Sequence, residues 1–324
     1  MSALKFEPGT LRRALASRIV IADGAMGTMI QAANPTLEEF EGHEGCNEIL
    51  NVTRPDLIAE IHRKYLAVGV DAIETNTFGA NLANLGEYGI PERIYELAYA
   101  GAKVARETAD EFEGQRWVLG SMGPGTKLPT LGHVTYEELR DTYREAARGL
   151  IDGGSDALLI ETTQDLLQAK AAVNGARKAI ATANRDILLI AQVTVETTGT
   201  MLLGSEIGAA LNALSNLEID LIGMNCATGP AEMSEHLRQL SQTSKVGISC
   251  MPNAGLPVLK DGGAYYPLEP DVFAEALSTY VDQYGLNLIG GCCGTTPEHL
   301  SSLDRKSTRL NSSHVSESRM PSSA

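Results

Sequence analysis

Leu286-Asn287-Leu288-Ile289-Gly290-Gly291-Cys292-Cys293-Gly294-Thr295-Thr296-Pro297 runs from a short aliphatic strand, through a glycine-framed cysteine pair, into a helix start. Adjacent cysteines can hold one metal ion only where the backbone bends sharply, and the three flanking glycines permit that bend. A third soft ligand is then required. Cys226 is the best candidate, because it ends another apolar run, Ile219-Asp220-Leu221-Ile222-Gly223-Met224-Asn225-Cys226. Three thiolates and one vacant position describe a catalytic zinc site, since structural zinc is closed by four protein ligands. A vicinal disulfide, or a phosphate-cradling loop, is the competing reading of the pair. The absence of a basic residue within the loop counts against phosphate.

Working outward, the same strand, polar turn, helix order recurs along the chain. Eight apolar runs, at Ile19–Asp23, Val70–Thr75, Trp117–Ser121, Ala157–Glu161, Ile187–Val195, Ile219–Asn225, Val246–Cys250 and Leu286–Gly290, alternate with stretches of helical period. Helices are expected near Pro55–Val68, Pro91–Phe112, Thr135–Asp152, Gln164–Ala183, Ser205–Leu217, Pro230–Thr243 and Glu269–Tyr284. Thr53-Arg54-Pro55-Asp56 and Thr135-Tyr136-Glu137-Glu138 mark two of the starts, the second as a capping box. Eight βα units fit a (β/α)8 TIM barrel or a doubly wound open sheet. The placement of polar signals decides between them. Asp23 to Thr28, Glu74 to Phe78, Ser121 to Pro124, Glu161 to Thr163, Asn225-Cys226 and the cysteine pair all sit at strand ends. A closed barrel gathers every one of them on its C-terminal rim, whereas an open sheet would use one crevice. The α/β class with a single barrel over residues 1–304 is therefore predicted. Residues 305–324, with seven serines, four basic residues, one acid and no apolar period, read as a disordered or foreign C-terminal tail.

Composition narrows the function. A net charge of -15 disfavours nucleic acid, whose phosphates would be repelled. No apolar run approaches the ~20 residues of a spanning helix, and the first ten residues have no signal core, so a cytoplasmic protein with no membrane role is expected. Five cysteines, an odd number with one adjacent pair, suit metal or catalytic thiols better than a disulfide framework. Cys46 and Cys250 are read as structural. The six histidines, His43, His62, His133, His236, His299 and His314, are assigned surface roles.

Taken with Asp23-Gly24-Ala25-Met26-Gly27-Thr28 and Glu74-Thr75-Asn76-Thr77-Phe78-Gly79-Ala80-Asn81, the three cysteines give the chain a resemblance to the homocysteine-binding domain of cobalamin-dependent methionine synthases, in the homocysteine S-methyltransferase family. Gly45 to Leu50, Pro252 to Gly255 and Gly290 to His299 extend it, so that it covers about residues 15–304. The resemblance implies a methyltransferase of methionine biosynthesis in which Zn2+ on Cys226, Cys292 and Cys293 activates the homocysteine thiolate. Methylcobalamin is the implied methyl donor and 5-methyltetrahydrofolate its source. Both belong to cobalamin, folate and activation modules that the resemblance implies as partners. Betaine- and S-methylmethionine-dependent enzymes share the family, and a catalytically idle homocysteine- or zinc-binding module is the reading from another class. The resemblance also implies that Asp23 and Glu161 take the substrate ammonium. The turn at Gly24, Ala25 and Met26 offers backbone N–H groups to the carboxylate. Asn225, with Asn76 and Thr77, is placed behind these contacts.

Overall fold

A computed structural model describes residues 10–260 and 263–305. The tail expected beyond Asp304 lies outside the described residues except for Arg305, as does His314.

Eight parallel strands form one sheet: β1 (Val20–Ile21), β2 (Ala72–Glu74), β3 (Trp117–Met122), β4 (Ala157–Thr163), β5 (Leu188–Val193), β6 (Leu221–Asn225), β7 (Gly247–Met251) and β8 (Leu288–Ile289). Each pairs with its neighbours in sequence, from β2 round to β8, and β8 pairs with β1. The ring is closed by a parallel bridge between Ala22 and Ala72, beside the hydrogen bond from Asp71 N–H to the Ile21 carbonyl at 2.8 Å. The expected barrel is thus what forms, and all eight apolar runs become its strands.

Period-two alternation sorts the side chains. Val20, Ala72, Leu119, Leu159, Ile190 and Leu221 fall in the inner apolar cluster that fills the barrel. Ile21, Ile73, Val118, Leu158, Leu189 and Ile222 fall in the outer cluster beneath the helices. Carried one step further, the inward register reaches Glu74, Ser121, Glu161 and Asn225 at the C-terminal ends. The strands' own alternation therefore aims their polar termini into the mouth.

The expected helices appear as Pro55–Ala67, Ile94–Ala109, Tyr136–Asp152, Leu166–Ile180, Ile207–Leu214, Pro230–Thr243 and Pro270–Tyr284, with residues 297–305 helical after β8. Thr135 caps its helix by accepting the Glu138 N–H at 3.2 Å. Thr53 does not cap: Pro55 opens that helix, and the Thr53 hydroxyl is donated to the Glu39 carbonyl at 2.6 Å. Several elements were not anticipated, among them short helices at Leu50–Thr53 and Leu82–Glu87. Helix Leu11–Ser17 closes the floor of the barrel, where Leu11 and Leu15 join the inner cluster and Arg12 pairs with Asp186 and Asp220. Helix Met26–Ala33 follows the first rim turn, and an antiparallel hairpin, Val258–Lys260 with Gly263–Tyr265, follows β7. No helix among the described residues is long and apolar enough to cross a membrane.

Two of the histidines depart from their surface assignment. His62 lies on the core face of Pro55–Ala67 with both ring nitrogens unpartnered, and desolvation lowers its pKa to about 3, so it is a neutral core residue. His299 is buried and bonded to the Leu268 carbonyl at 2.8 Å. In both cases one helical face is buried more completely than its local polarity implied.

Candidate metal and amino-acid site at the barrel mouth

Cys226, Cys292 and Cys293 converge from the ends of β6 and β8. Their sulfurs all lie within 4.8 Å of one another, and Cys226 Sγ is 3.9 Å from Cys293 Sγ. Tetrahedral zinc with Zn–S bonds of ~2.3 Å requires S···S separations near ~3.8 Å; the Cys226–Cys293 pair stands at that spacing, and the triad could hold such an ion. All three are free thiols of intermediate exposure, which leaves a side of the cluster open to the mouth. Their protonation is shared: hydrogen bonds from Cys226 and Cys292 draw Cys293 down to about 3, while the same contacts push Cys292 well above the usual thiol range.

The loop is pinned by its backbone. Cys292 N–H is donated to the Pro252 carbonyl at 2.8 Å, Cys293 N–H to Asn253 Oδ1 at 3.1 Å, and Gly291 N–H to the Asp23 carbonyl at 2.9 Å. Of the flanking glycines only Gly294, at φ +77°, needs the left-handed region. Gly291 is required for space, because a Cβ there would lie 2.2 Å from Thr295 Oγ1. That hydroxyl is donated to the Cys292 carbonyl at 2.7 Å and accepts the Ala25 N–H at 3.2 Å, tying the cysteine loop to the first rim turn.

Cys226 itself sits at φ +59°, and Thr162 across the mouth at φ +55°. Non-glycine residues hold this conformation only where surroundings enforce it. Asn225 supplies the enforcement for Thr162. Its Oδ1 accepts the Thr162 N–H at 2.7 Å, and its Nδ2 is donated to Thr162 Oγ1 at 2.8 Å and to Glu161 Oε2 at 2.9 Å. The register of β4 against β5 shifts between Ile160 and Thr163, so this clamp sits on a β-bulge that re-aims the strand end.

Three carboxyls share the mouth with the thiols. Asp23 is almost fully buried, and its pKa is raised well above the usual range by burial and by Glu161, although it accepts the Glu74 N–H at 3.0 Å. Glu161 is raised chiefly by burial, against hydrogen bonds from Ser121, Thr162 and Asn225. Glu74 is raised well above by burial, then by Glu161 and Asp23.

Of the residues singled out from sequence, Cys226, Cys292, Cys293, Asp23, Glu161 and Asn225 come together here. Ala25 is the N-cap of Met26–Ala33 and its N–H is engaged by Thr295, which leaves Met26 as the first open amide of a helix with no side-chain cap. Gly24 packs against Thr295 and Tyr65, where a Cβ would lie 2.5 Å from Thr295 Oγ1. Asn76 and Thr77 bond to Asn51 and to the Ser121 carbonyl and serve the scaffold. Cys250 lies in the outer core with Met233 Sδ at 3.9 Å, and buried Cys46 has Glu48 as its neighbour; neither approaches the triad. Sequence reasoning passed over Glu74, Ser121 and Tyr266, the last hydrogen-bonded to Cys293. Glu74 carried the same signal as Glu161, an acid ending an aliphatic run, and sat inside a stretch already noted.

Comparison with known proteins gives the family. The homocysteine S-methyltransferase family model matches residues 20–306. The methionine synthase of Mycobacterium tuberculosis is 62% identical over 289 residues, 88% of this chain and 24% of that protein. That of Mycobacterium leprae is 58% identical over 308 residues, 94% of this chain and 26% of that protein. The chain thus spans about a quarter of the length of these relatives. Among solved structures, the metallated form of the homocysteine methyltransferase MmuM from Escherichia coli superposes with a TM-score of 0.73 at 22% identity, covering 91% of this chain and 99% of that one. Its oxidized form gives the same score and identity, with 98% of that chain covered. Those two share the fold, and the sequence matches carry the kinship: the chain belongs to the homocysteine S-methyltransferase family.

Proposed function

We propose that the chain is the homocysteine-activating module of a methionine synthase, in which Cys226, Cys292 and Cys293 hold Zn2+ and the mouth of the barrel binds homocysteine. The observation that carries this reading is the open cluster of three sulfurs within 4.8 Å of one another, beside a set of carboxyls on which no lysine or arginine among the described residues bears. When bound, zinc supplies a Lewis acid that lowers the pKa of a substrate thiol, ~8.5 when free, so that a thiolate nucleophile exists at neutral pH.

The chain's own residues do the rest. The three thiolates keep the site electron-rich, so that the incoming sulfur retains its nucleophilicity. Asn225 holds Glu161 in place through Nδ2, and Glu161 and Asp23 accept the substrate ammonium. The amide of Met26, at the positive end of its helix, faces the carboxylate. With both ends of the amino acid fixed, the sulfur is oriented out of the mouth toward the donor. Methyl transfer would form the S–CH3 bond from the thiolate's electron pair as the donor–CH3 bond breaks and leaves its pair on the donor, and the product thioether would be a weak ligand for zinc.

Methylcobalamin carried on a companion module is the donor this reading takes, with 5-methyltetrahydrofolate as the upstream methyl source. The identity to full-length methionine synthases supports it. So does the rim: Phe78 after β2, Leu202 and Leu203 after β5, and Leu259 after β7, the last 85% exposed, leave apolar side chains on the loops a docking module would cover.

The test is zinc X-ray absorption on the full chain. One zinc with three sulfur neighbours, becoming four on addition of homocysteine, is expected, together with loss of zinc in Cys292→Ala. Absence of zinc, or four sulfurs before homocysteine arrives, would overturn the reading. Supplying free methylcobalamin and homocysteine then separates an active module, which forms methionine, from one that only binds.

A further inference from the structure

Strands β1, β2 and β4 each deliver an acid to the mouth, and the scaffold treats the three differently. Asp23 is engaged by the Glu74 N–H, and Glu161 by Ser121, Thr162 and Asn225. The Glu74 side chain has no comparable anchor. The charges that bear on it are those of Glu161 and Asp23, and among the described residues no lysine or arginine bears on any of the three. Glu74 also keeps more solvent access than Asp23 or Glu161, which are 1% and 5% exposed.

A carboxyl turned toward two others in a desolvated mouth is a cost to the fold, because each raises the free energy of ionising the next. Nothing in the packing requires an acid at this position, where a glutamine would fill the same volume. The cost is offset only when a cation enters. A metal ion would need oxygens gathered at ~2.0–2.6 Å around one point. Among the described residues the three cysteines alone form a cluster that tight. An ammonium, with N···O contacts of ~2.8 Å or more, suits the wider set, and a primary ammonium offers three N–H donors in tripod geometry.

We infer that Glu74 is the third acceptor for the substrate ammonium, a specificity-determining residue that completes a cradle with one carboxyl for each N–H and selects an unsubstituted α-amino thiol. This rests on the reading of homocysteine as substrate. Asp23 and Glu161, held in place, set the position of the nitrogen. Glu74, tethered only at its backbone, closes on the third proton and has nothing to bond when that proton is missing or replaced by an alkyl group.

The experiment is titration calorimetry of the zinc-loaded full chain with L-homocysteine and with 4-mercaptobutanoate, which keeps the thiol, chain length and carboxylate but lacks the amine. The parent protein binds homocysteine more tightly. Glu74→Gln is expected to weaken homocysteine about 10- to 100-fold, the loss of one charge-assisted hydrogen bond, while 4-mercaptobutanoate binds as well or better. Glu74→Asp, which keeps the charge and shortens its reach, should fall between. Equal losses for both thiols would make Glu74 a shape-filling residue and overturn the inference, as would unchanged homocysteine binding. A zinc-loaded parent that binds neither thiol would instead bring down the homocysteine reading itself.

Discussion

Asn225→Ala is the substitution that most directly tests whether the mouth is held under strain. Asn225 is 1% exposed and makes three hydrogen bonds of 2.7–2.9 Å to Thr162 and Glu161. Two are neutral and worth about 1 kcal/mol each, and the one to a carboxyl is worth about 1.5–3 kcal/mol. Thr162, a β-branched residue at φ +55°, would also lose the N–H acceptor that fixes its backbone. The expected destabilisation is about 3–5 kcal/mol, or roughly 6–10 °C in melting temperature for a domain of this size. Homocysteine affinity should fall with it, because Glu161 loses the amide that aims it. Thermal unfolding and calorimetry measure both. Repeating the substitution in a Thr162→Gly background, where positive φ costs little and the Thr162 Oγ1 bond is already gone, measures the coupling of the two residues, bond and strain together. Asn225→Ala should then destabilise by at least about 1 kcal/mol less. Strictly additive effects, or an Asn225→Ala protein melting within about 2 °C of the parent, would refute the clamp.

Three further outcomes follow from the same geometry. Gly291→Ala drives a Cβ to 2.2 Å from Thr295 Oγ1, which holds the Cys292 carbonyl; zinc content should fall and stability drop by about 1–3 kcal/mol, read by metal analysis and melting. Leu15→Ala opens a cavity in the barrel floor and should cost about 2–5 kcal/mol in denaturant unfolding while leaving the zinc sulfur count unchanged. Glu74 has a folded-state pKa raised by burial and by its acidic neighbours, so its contribution to stability is full below the ordinary carboxylate range and is lost as pH rises through the raised value. Glu74→Gln removes that loss: ligand-free variant and parent should melt most alike near pH 4, with the variant's advantage growing toward pH 8, and a gap independent of pH would contradict the assignment.

The fold and the site were legible in the sequence to different depths, for physical reasons. All eight strands could be found because each is an apolar run bounded by turn residues, and ring closure followed from polar signals at so many strand ends. The convergence of Cys226, Cys292 and Cys293 was readable because a glycine-framed cysteine pair has few scaffold uses and Cys226 ends an apolar run on the same rim. The floor helix Leu11–Ser17 was not found, since a seven-residue helix carries less than two full turns of periodicity and its burial depends on a barrel closed between β1 and β2, fifty residues apart at Ala22 and Ala72. Ala25 illustrates a different limit. Its N–H could be read as free from local sequence, yet Thr295, from the opposite end of the chain, occupies it.

The charge arrangement of the mouth explains why these residues belong together. Three thiols and three carboxyls are concentrated at the mouth of a chain whose net charge is -15, and among the described residues no lysine or arginine bears on the three acids. Left to itself such a site must hold protons, and the raised pKa values of Asp23, Glu74 and Glu161 are the expression of that. Under the proposed function two cations would relieve it, a divalent ion at the sulfurs and an ammonium at the carboxyls. An amino acid with a thiol brings the ammonium and the fourth sulfur on one short carbon chain, so each half of the site raises the local concentration of ligand for the other. Asn225 is the physical link between the halves, with Glu161 at 2.9 Å and Cys292 Sγ at 3.9 Å from the same amide nitrogen. Occupation of the carboxyl half should therefore tighten with the metal present, and the affinity for the ammonium in 4-mercapto-free analogues such as 2-aminobutanoate should depend on zinc far less than the affinity for homocysteine does.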